Sequence, residues 1–116
     1  MAATGDRGEQ LAGNYMTALG YEVIQYNYRS RYGEIDIVLQ DAKYLVFLEV
    51  KLRGNVGFAR AAEHVTTGKR RKFRTTSEAY LQMYPTEKQP RIDVLEIYAP
   101  NGLFAPLEFN LIENAF

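Results

Sequence analysis

The chain has 116 residues, no cysteine and equal numbers of acidic and basic side chains. Its length predicts a single domain over residues 1–116, and the lack of cysteine excludes disulfides, zinc–thiolate sites and thiol nucleophiles. No apolar run approaches the ~20 residues of a membrane helix, and residues 1–10 lack the apolar core of a signal peptide. We therefore expect a cytoplasmic protein with no membrane partner.

The first predicted element is a helix. Asp6 and Glu9 have the spacing of a capping box, and apolar residues then recur at helical intervals as far as Gly20. Residues 21–25 read as a short strand, and residues 26–32 as a link to the next element.

Acidic side chains interrupt the next two apolar runs. Residues 33–39 and 44–52 are rich in β-branched and aromatic residues, which predicts two strands joined by a polar turn near Asp41. Counting back from that turn places Asp36 within about one residue of Glu49 across the hairpin. Facing carboxylates repel each other, and a divalent cation held by oxygen ligands would offset the repulsion, with Lys51 on the face of Glu49. The alternative is an exposed Glu49–Lys51 pair with a solvated Asp36.

A strongly basic segment follows the acidic hairpin. Residues 51–74 carry eight Lys or Arg against one acidic residue. Thr66 or Thr67 caps a predicted helix that extends to residue 81 and ends before Pro85. Its basic run either binds the phosphates of nucleic acid or is merely solvated. The run consists of Lys69, Arg70, Arg71 and Lys72.

Two further strands complete the predicted fold, over residues 91–98 and 103–111. The element order predicts an α/β domain with a mixed sheet flanked by two helices. The connection that contains the basic helix is long enough to join parallel strands. Within the first of these strands, Asp93 lies beside Arg91, which favours a structural ion pair.

The acidic pair suits phosphodiester hydrolysis. Mg²⁺ bound by carboxylates supplies an activated water, neutralises charge on the phosphate and assists the leaving oxygen. Mg²⁺ commonly uses only one or two protein carboxylates, so Asp36, Glu49 and the carbonyl of Val50 would suffice. Nearby carboxylates favour the charged form of Lys51, which we expect to orient water or stabilise phosphate charge.

These residues carry a resemblance. Asp36 and the Glu49-Val50-Lys51 triplet look like the PD-(D/E)xK active site of the restriction-endonuclease-like nucleases, with Ile35 in place of the proline. The chain as a whole resembles the bacterial YraN-like family, which is similar to archaeal Holliday-junction resolvases. That likeness extends over Gly8-Glu9, Gly20-Tyr21, Asn27-Tyr28-Arg29, Gly33-Glu34-Ile35-Asp36, Phe47 to Lys51 with Arg53, Arg91 to Val94 and Asn114-Ala115-Phe116.

The resemblance implies a restriction-endonuclease-like αβββαβ core, dependence on Mg²⁺ (or Mn²⁺) and a metal-ligating acid on the first helix. Glu9 matches that acid, although it also suits the capping box. We expect Glu34 to point away from the site and to reach the same ion only through a bulge.

Other candidate contacts with nucleic acid are the arginines Arg29, Arg31 and Arg53. Tyr26, Tyr28 and Tyr32 alternate with the first two of these, which suits either stacking on unpaired bases or packing at a core edge. His64 is the only histidine, and we expect it to be structural or exposed.

The sequence therefore predicts a Mg²⁺-dependent endonuclease that acts on DNA, with branched DNA as one candidate substrate. A homodimer follows by analogy only. The alternatives are a nucleic-acid-binding or adaptor module that keeps the nuclease fold without cutting, and a plain protein-interaction domain.

Overall fold

The structure is a computed structural model, which describes residues 4–54, 67–102 and 106–116. Its elements, in chain order, are α1 (Thr4–Ala18), β1 (Glu22–Ser30), β2 (Gly33–Gln40), β3 (Tyr44–Arg53), α2 (Thr67–Met83), β4 (Gln89–Tyr98) and β5 (Glu108–Ile112). This order confirms the predicted α/β class. It is compatible with an αβββαβ core followed by one more strand.

The five strands form one mixed sheet in which spatial order follows chain order. Neighbouring strands are antiparallel except for β3 and β4, which are parallel. A parallel pair needs a long crossover, and the connection that contains α2 provides it, as predicted. The acidic strand β3 therefore lies at the centre of the sheet.

Alternate residues of β3 face two different hydrophobic clusters. Val46 and Leu48 belong to a cluster that includes Met16 of α1, whereas Phe47 belongs to a second cluster with Phe73 of α2. Because successive side chains of a strand point to opposite faces, the two helices cover opposite faces of the sheet. Each fully buried side chain of this size contributes about 2 kcal/mol, so both faces hold β3 in place.

The first helix differs in its start from the prediction. It begins at Thr4, two residues before the predicted cap at Asp6, whose side chain lies outside the described part. It ends as predicted, because Gly20 adopts a φ of +105° and the N–H of Tyr21 donates to the carbonyl of Met16. A left-handed glycine that lets the chain turn back in this way closes many helices. Neither described helix is long and apolar enough to cross a membrane.

Two strand boundaries were predicted wrongly. The segment expected to link β1 to β2 is mostly strand, and only Arg31 and Tyr32 form the turn between Ser30 and Gly33. The last strand starts at Glu108 rather than at residue 103, and residues 103–105 lie outside the described ranges, as does Thr66. The length of β1 depends on its pairing with β2, and a local sequence pattern does not reveal that pairing.

Candidate functional site

The β2–β3 hairpin fixes the position of the acidic pair. Its ladder pairs Val38 with Phe47 and Ile37 with Leu48 and ends there, so Asp36 and Glu49 are the next residues along the two strands. This register agrees with the count made from the turn. The turn itself is held by Asp41, whose Oδ1 accepts the N–H groups of the residues at 43 and 44 at 2.9 and 2.7 Å.

Asp36 lies where the backbone ladder between β2 and β3 ends. Its Oδ2 accepts a hydrogen bond from the backbone N–H of Val50 at 2.8 Å. A side-chain carboxylate therefore binds a β3 amide beyond the last backbone pair, Ile37 with Leu48. The carboxylate of Asp36 is thereby held beside the chain segment that carries Glu49 and Lys51.

The strand pair β1–β2 is irregular at the same point. Ile37 packs in the α1 cluster, whereas Ile35 packs in the α2 cluster, although residues two apart in a regular strand share a face. Across from Asp36, Asn27 adopts a φ of +54° between the pairs that Tyr26 and Tyr28 make with β2. The face alternation therefore breaks at Asp36.

Acidic neighbours surround Asp36. Burial and, to a smaller extent, the nearby charges of Glu49, Glu9 and Glu34 raise the pKa of its carboxyl group from 3.8 to about 6, against the lowering effect of the Val50 N–H. A carboxylate in this setting is costly to ionise. A bound cation would offset that cost, so the surroundings of Asp36 favour the binding of a positive charge.

Glu9 reaches the site from α1. Its Oε1 accepts a hydrogen bond from Nδ2 of Asn27 at 2.9 Å, and Asn27 is the irregular residue across from Asp36. Because the helix begins at Thr4, Glu9 lies in the second turn and not at the third helical position that a capping box requires. The contact with Asn27 is thus the role that the structure gives to Glu9.

Lys51 and Glu49 line a cleft beneath α2. The Nζ of Lys51 lies 3.4 Å from Oε1 of Glu49, with the two side chains 17% and 25% exposed. The cleft has a volume of about 320 Å³. It is lined by Gly33, Glu34, Glu49, Lys51, Lys69, Lys72, Phe73 and Thr76. Acidic groups from the sheet and ammonium groups from α2 therefore face one space.

The expectation that Glu34 points away from the site was wrong. Residues two apart in a regular strand share a face, so spacing alone does not separate Glu34 from Asp36, and Glu34 lines the cleft. It also forms an exposed ion pair with Arg29 at 3.1 Å.

The predicted nucleic-acid contacts divide into two groups. Lys69, Arg70, Arg71 and Lys72 are all exposed on the first half of α2, and Arg29 and Arg31 are partly or fully exposed on the β1–β2 hairpin. Arg53 is different, because it is only 7% exposed and its Nη2 lies 2.7 Å from Glu96. That guanidinium holds β3 to β4 and is almost completely buried.

The predicted tyrosines also divide. Tyr28 packs edge-on against Tyr80 of α2, with ring centroids 5.0 Å apart, and so belongs to the core edge. Tyr26 and Tyr32 are 41% and 38% exposed. Only these two retain the surface that stacking on a base requires. His64 lies outside the described residues.

Asp93 forms the structural ion pair that the sequence predicted. It is fully buried, and the Nη2 of Arg91 lies 2.7 Å from its Oδ2. The backbone N–H of Asn114 donates to its other oxygen at 2.9 Å. Its charge is therefore balanced within the chain.

The donor set at Asp36 fits Mg²⁺ better than a metal that needs many protein ligands. Among the residues that the structure describes, no group of three His, Cys, Asp or Glu side chains is arranged to hold a metal ion. Asp36, Glu49 and the Val50 carbonyl are hard oxygen donors. Mg²⁺ takes one or two carboxylates and fills its other positions with water and phosphate, so Asp36 and Glu49 are the carboxylates that would hold it.

Comparisons with known proteins identify the family. The model of the uncharacterised protein family UPF0102 matches residues 8–97. A UPF0102 protein of Dehalococcoides mccartyi is 43% identical over 81% of this chain and 78% of its own. Another from Symbiobacterium thermophilum is 41% identical over 97% of this chain and 94% of its own, and one from Rhodococcus opacus is 40% identical over 86% of each. The chain therefore belongs to the bacterial UPF0102 family, in agreement with its YraN-like resemblance.

Proposed function

We propose that this protein is a Mg²⁺-dependent endonuclease that hydrolyses phosphodiester bonds in DNA. The observation that carries the proposal is the crowding of Asp36. Asp36 and Glu49 follow the last pair of the β2–β3 ladder, and the charges of three acidic residues raise the pKa of Asp36 beyond the effect of burial. Such strongly perturbed groups beside a cleft are typical of functional sites.

Asp36 and Glu49, with the carbonyl of Val50, would hold the cation. Mg²⁺ or Mn²⁺ bound there supplies an activated water and neutralises charge on the phosphate. Glu9 supports the site through Asn27, whose position across from Asp36 couples α1 to the acidic pair. In this proposal, contacts of this kind preorganise the two carboxylates as ligands.

Lysines on two sides of the cleft suit a phosphate. Lys51 lies on the sheet beside Glu49, whereas Lys69 and Lys72 belong to α2. The ammonium of Lys51 would stabilise charge on the reacting phosphate or orient the attacking water. The α2 lysines would bind the neighbouring phosphates of the strand. One such site cuts one strand, so a homodimer that cuts two strands remains a prediction.

Cleavage assays on junction, flap, single-stranded and duplex DNA with Mg²⁺ or Mn²⁺ test the proposal. Asp36→Asn and Lys51→Ala should each lower the cleavage rate by about a hundredfold or more, because the first removes a cation ligand and the second a positive charge beside the reacting phosphate. Lys43→Ala is the matched control, since Lys43 is exposed at the opposite end of the same hairpin and should cleave normally. Equal rates for all three variants and the parent would refute the catalytic role.

A second function, a nucleic-acid-binding module that does not cut, is favoured by one contact. Lys51 lies 3.4 Å from Glu49, and this ion pair satisfies part of the acidic site without a cation. That function predicts salt-sensitive binding without metal, which is lost when Arg70, Arg71 and Lys72 are changed together. Asp36→Asn would then leave binding unaltered and no cleavage would be seen in the parent.

A further inference from the structure

The tip of the β1–β2 hairpin carries an exposed aromatic ring next to a guanidinium. Arg31 and Tyr32 form the turn between the paired residues Ser30 and Gly33. The guanidinium carbon of Arg31 lies 5.0 Å from the centroid of the Tyr32 ring, and its Nη2 donates to Tyr32 Oη at 2.8 Å. Tyr32 is nevertheless 38% exposed, so the ring is held in place and remains accessible.

Close packing against α2 fixes the position of this tip. A Cβ atom at Gly33 would lie 2.8 Å from Oγ1 of Thr76 and 3.4 Å from Cγ of Lys72. Gly33 also adopts a φ of +149°, which favours glycine. The backbone N–H of Tyr32 donates to Oγ of Ser30 at 3.1 Å. The backbone that carries the ring is therefore packed against α2. Because the ring is held in place before a ligand arrives, binding costs less conformational entropy.

The tip adjoins the cleft that Glu49 and Lys51 line. Gly33 and the two residues of α2 that it contacts, Thr76 and Lys72, line the same cleft. Tyr32 precedes Gly33 in the chain, so its backbone joins the cleft wall. A nucleotide that follows a phosphate bound in the cleft would then lie within reach of the ring.

An exposed tyrosine ring distinguishes unpaired bases from paired ones. In a continuous duplex both faces of each base are covered by its neighbours, so a protein ring can stack only on a base that is single-stranded or extruded. Stacking on aromatic side chains is tolerant of sequence and is a large part of single-strand binding. Arg31 adds a cation that can bind the phosphate of the same nucleotide.

We propose that Tyr32, held by Arg31, binds an unpaired base at the edge of the cleft, so that the preferred ligand is DNA with single-stranded nucleotides next to the site. The inference deepens the proposed function and rests on its DNA-binding part. It does not require that the protein cuts. Continuous duplex DNA, which offers only its phosphates to the α2 lysines, binds more weakly.

Binding measured in EDTA tests the inference without any cleavage. The ligands are a labelled blunt duplex and the same duplex with a single-stranded extension that carries the fluorescent base 2-aminopurine. The parent should bind the extended DNA more tightly and quench the 2-aminopurine. Tyr32→Ala should weaken binding of the extended DNA by about tenfold, abolish the quenching and leave duplex affinity unchanged.

Two variants control the measurement. Tyr32→Phe keeps the ring and should retain both the affinity and the quenching. Tyr84→Ala removes a tyrosine that is 52% exposed but packs on Tyr80 near the C-terminal end of α2, and it should bind both DNAs as the parent does. Equal parental affinity for the two DNAs, equal loss on both in Tyr32→Ala, or no binding to either would overturn the inference.

The outcomes separate this inference from the catalytic proposal. A protein that binds extended DNA through Tyr32 but does not cut it with Mg²⁺ retains the stacking site and loses the endonuclease assignment. A protein that cuts DNA with no effect of Tyr32→Ala on binding retains the endonuclease assignment and loses the stacking site.

Discussion

Two aspartates, one in each strand that flanks β3, have opposite surroundings. Asp93 in β4 is fully buried, and Arg91 and the N–H of Asn114 satisfy its oxygens. Asp36 in β2 accepts the N–H of Val50 and otherwise faces acidic neighbours that raise its pKa. The charge of Asp93 is thus balanced by an opposite charge, whereas Asp36 lies among other acidic groups.

The difference supports a structural role for Asp93 and agrees with the ligand role proposed for Asp36. Burial works against the charge of Arg91, but its hydrogen bonds with Asp93 and Tyr21 outweigh that effect and raise the pKa of the guanidinium. Such a pair stabilises only while both partners are present. At Asp36 the cost of burial is not offset by an opposite charge on the same scale, and local conflicts of this kind are expected at functional sites.

Removing the charge of Asp93, which pairs with Arg91, should have the largest effect on stability. Asp93→Asn leaves the guanidinium of Arg91, whose side chain is only 10% exposed, without its main counter-charge. We expect the free energy of unfolding to fall by about 3 kcal/mol, as measured by urea denaturation. Glu108→Gln, on an exposed residue of β5, is the control and should change little. A loss below about 1 kcal/mol, typical of a surface pair, would contradict the structural role.

The hairpin that carries Asp36 and Glu49 was predictable because its register follows from local signals. Two apolar runs flank a short polar turn at Asp41, and counting from that turn gives the register that the structure shows. The Arg91–Asp93 pair was predictable for the same reason, since both partners belong to one strand. Short-range patterns of this kind are visible without knowledge of the rest of the fold.

The remaining features depend on partners that are distant in sequence. Arg53 is buried because Glu96, in a strand that follows α2, pairs with it, and nothing near Arg53 in the sequence reveals that. Ile35 and Ile37 pack in different clusters although they are two residues apart, and no local pattern announces that break. Tertiary context overrides the regular alternation on which the prediction relied.

Neutralising Asp36 should raise the free energy of unfolding, and by less than Asp93→Asn lowers it. Asp36→Asn removes a charge that the fold destabilises, so without divalent cations near neutral pH the variant should be more stable than the parent. The pKa rises from 3.8 to about 6, and each pKa unit corresponds to about 1.4 kcal/mol. After allowance for solvent and for the bond to Val50, we expect a gain of about 2 kcal/mol in urea denaturation.

The pH dependence of that gain follows from the direction of the shift. A raised pKa means that folded Asp36 holds its proton more tightly than the unfolded chain does. The stability that this group contributes to the parent is therefore complete below about pH 4 and is lost as the pH rises through about 6. The Asn variant lacks this dependence, so its advantage should vanish in acid. An Asp36→Asn protein that is less stable at every pH would show that the carboxylate stabilises the fold.

The most direct test is calorimetric titration of Mg²⁺ or Mn²⁺ into the full chain at neutral pH and again well below the Asp36 pKa of about 6. We predict binding at neutral pH that weakens about tenfold per pH unit below the pKa, because the ligand must be deprotonated. Asp36→Asn and Glu49→Gln should abolish it, and Glu108→Gln should not. Absence of cation binding in the parent, or binding that persists in both site variants, would contradict the assignment of Asp36 and Glu49 as cation ligands.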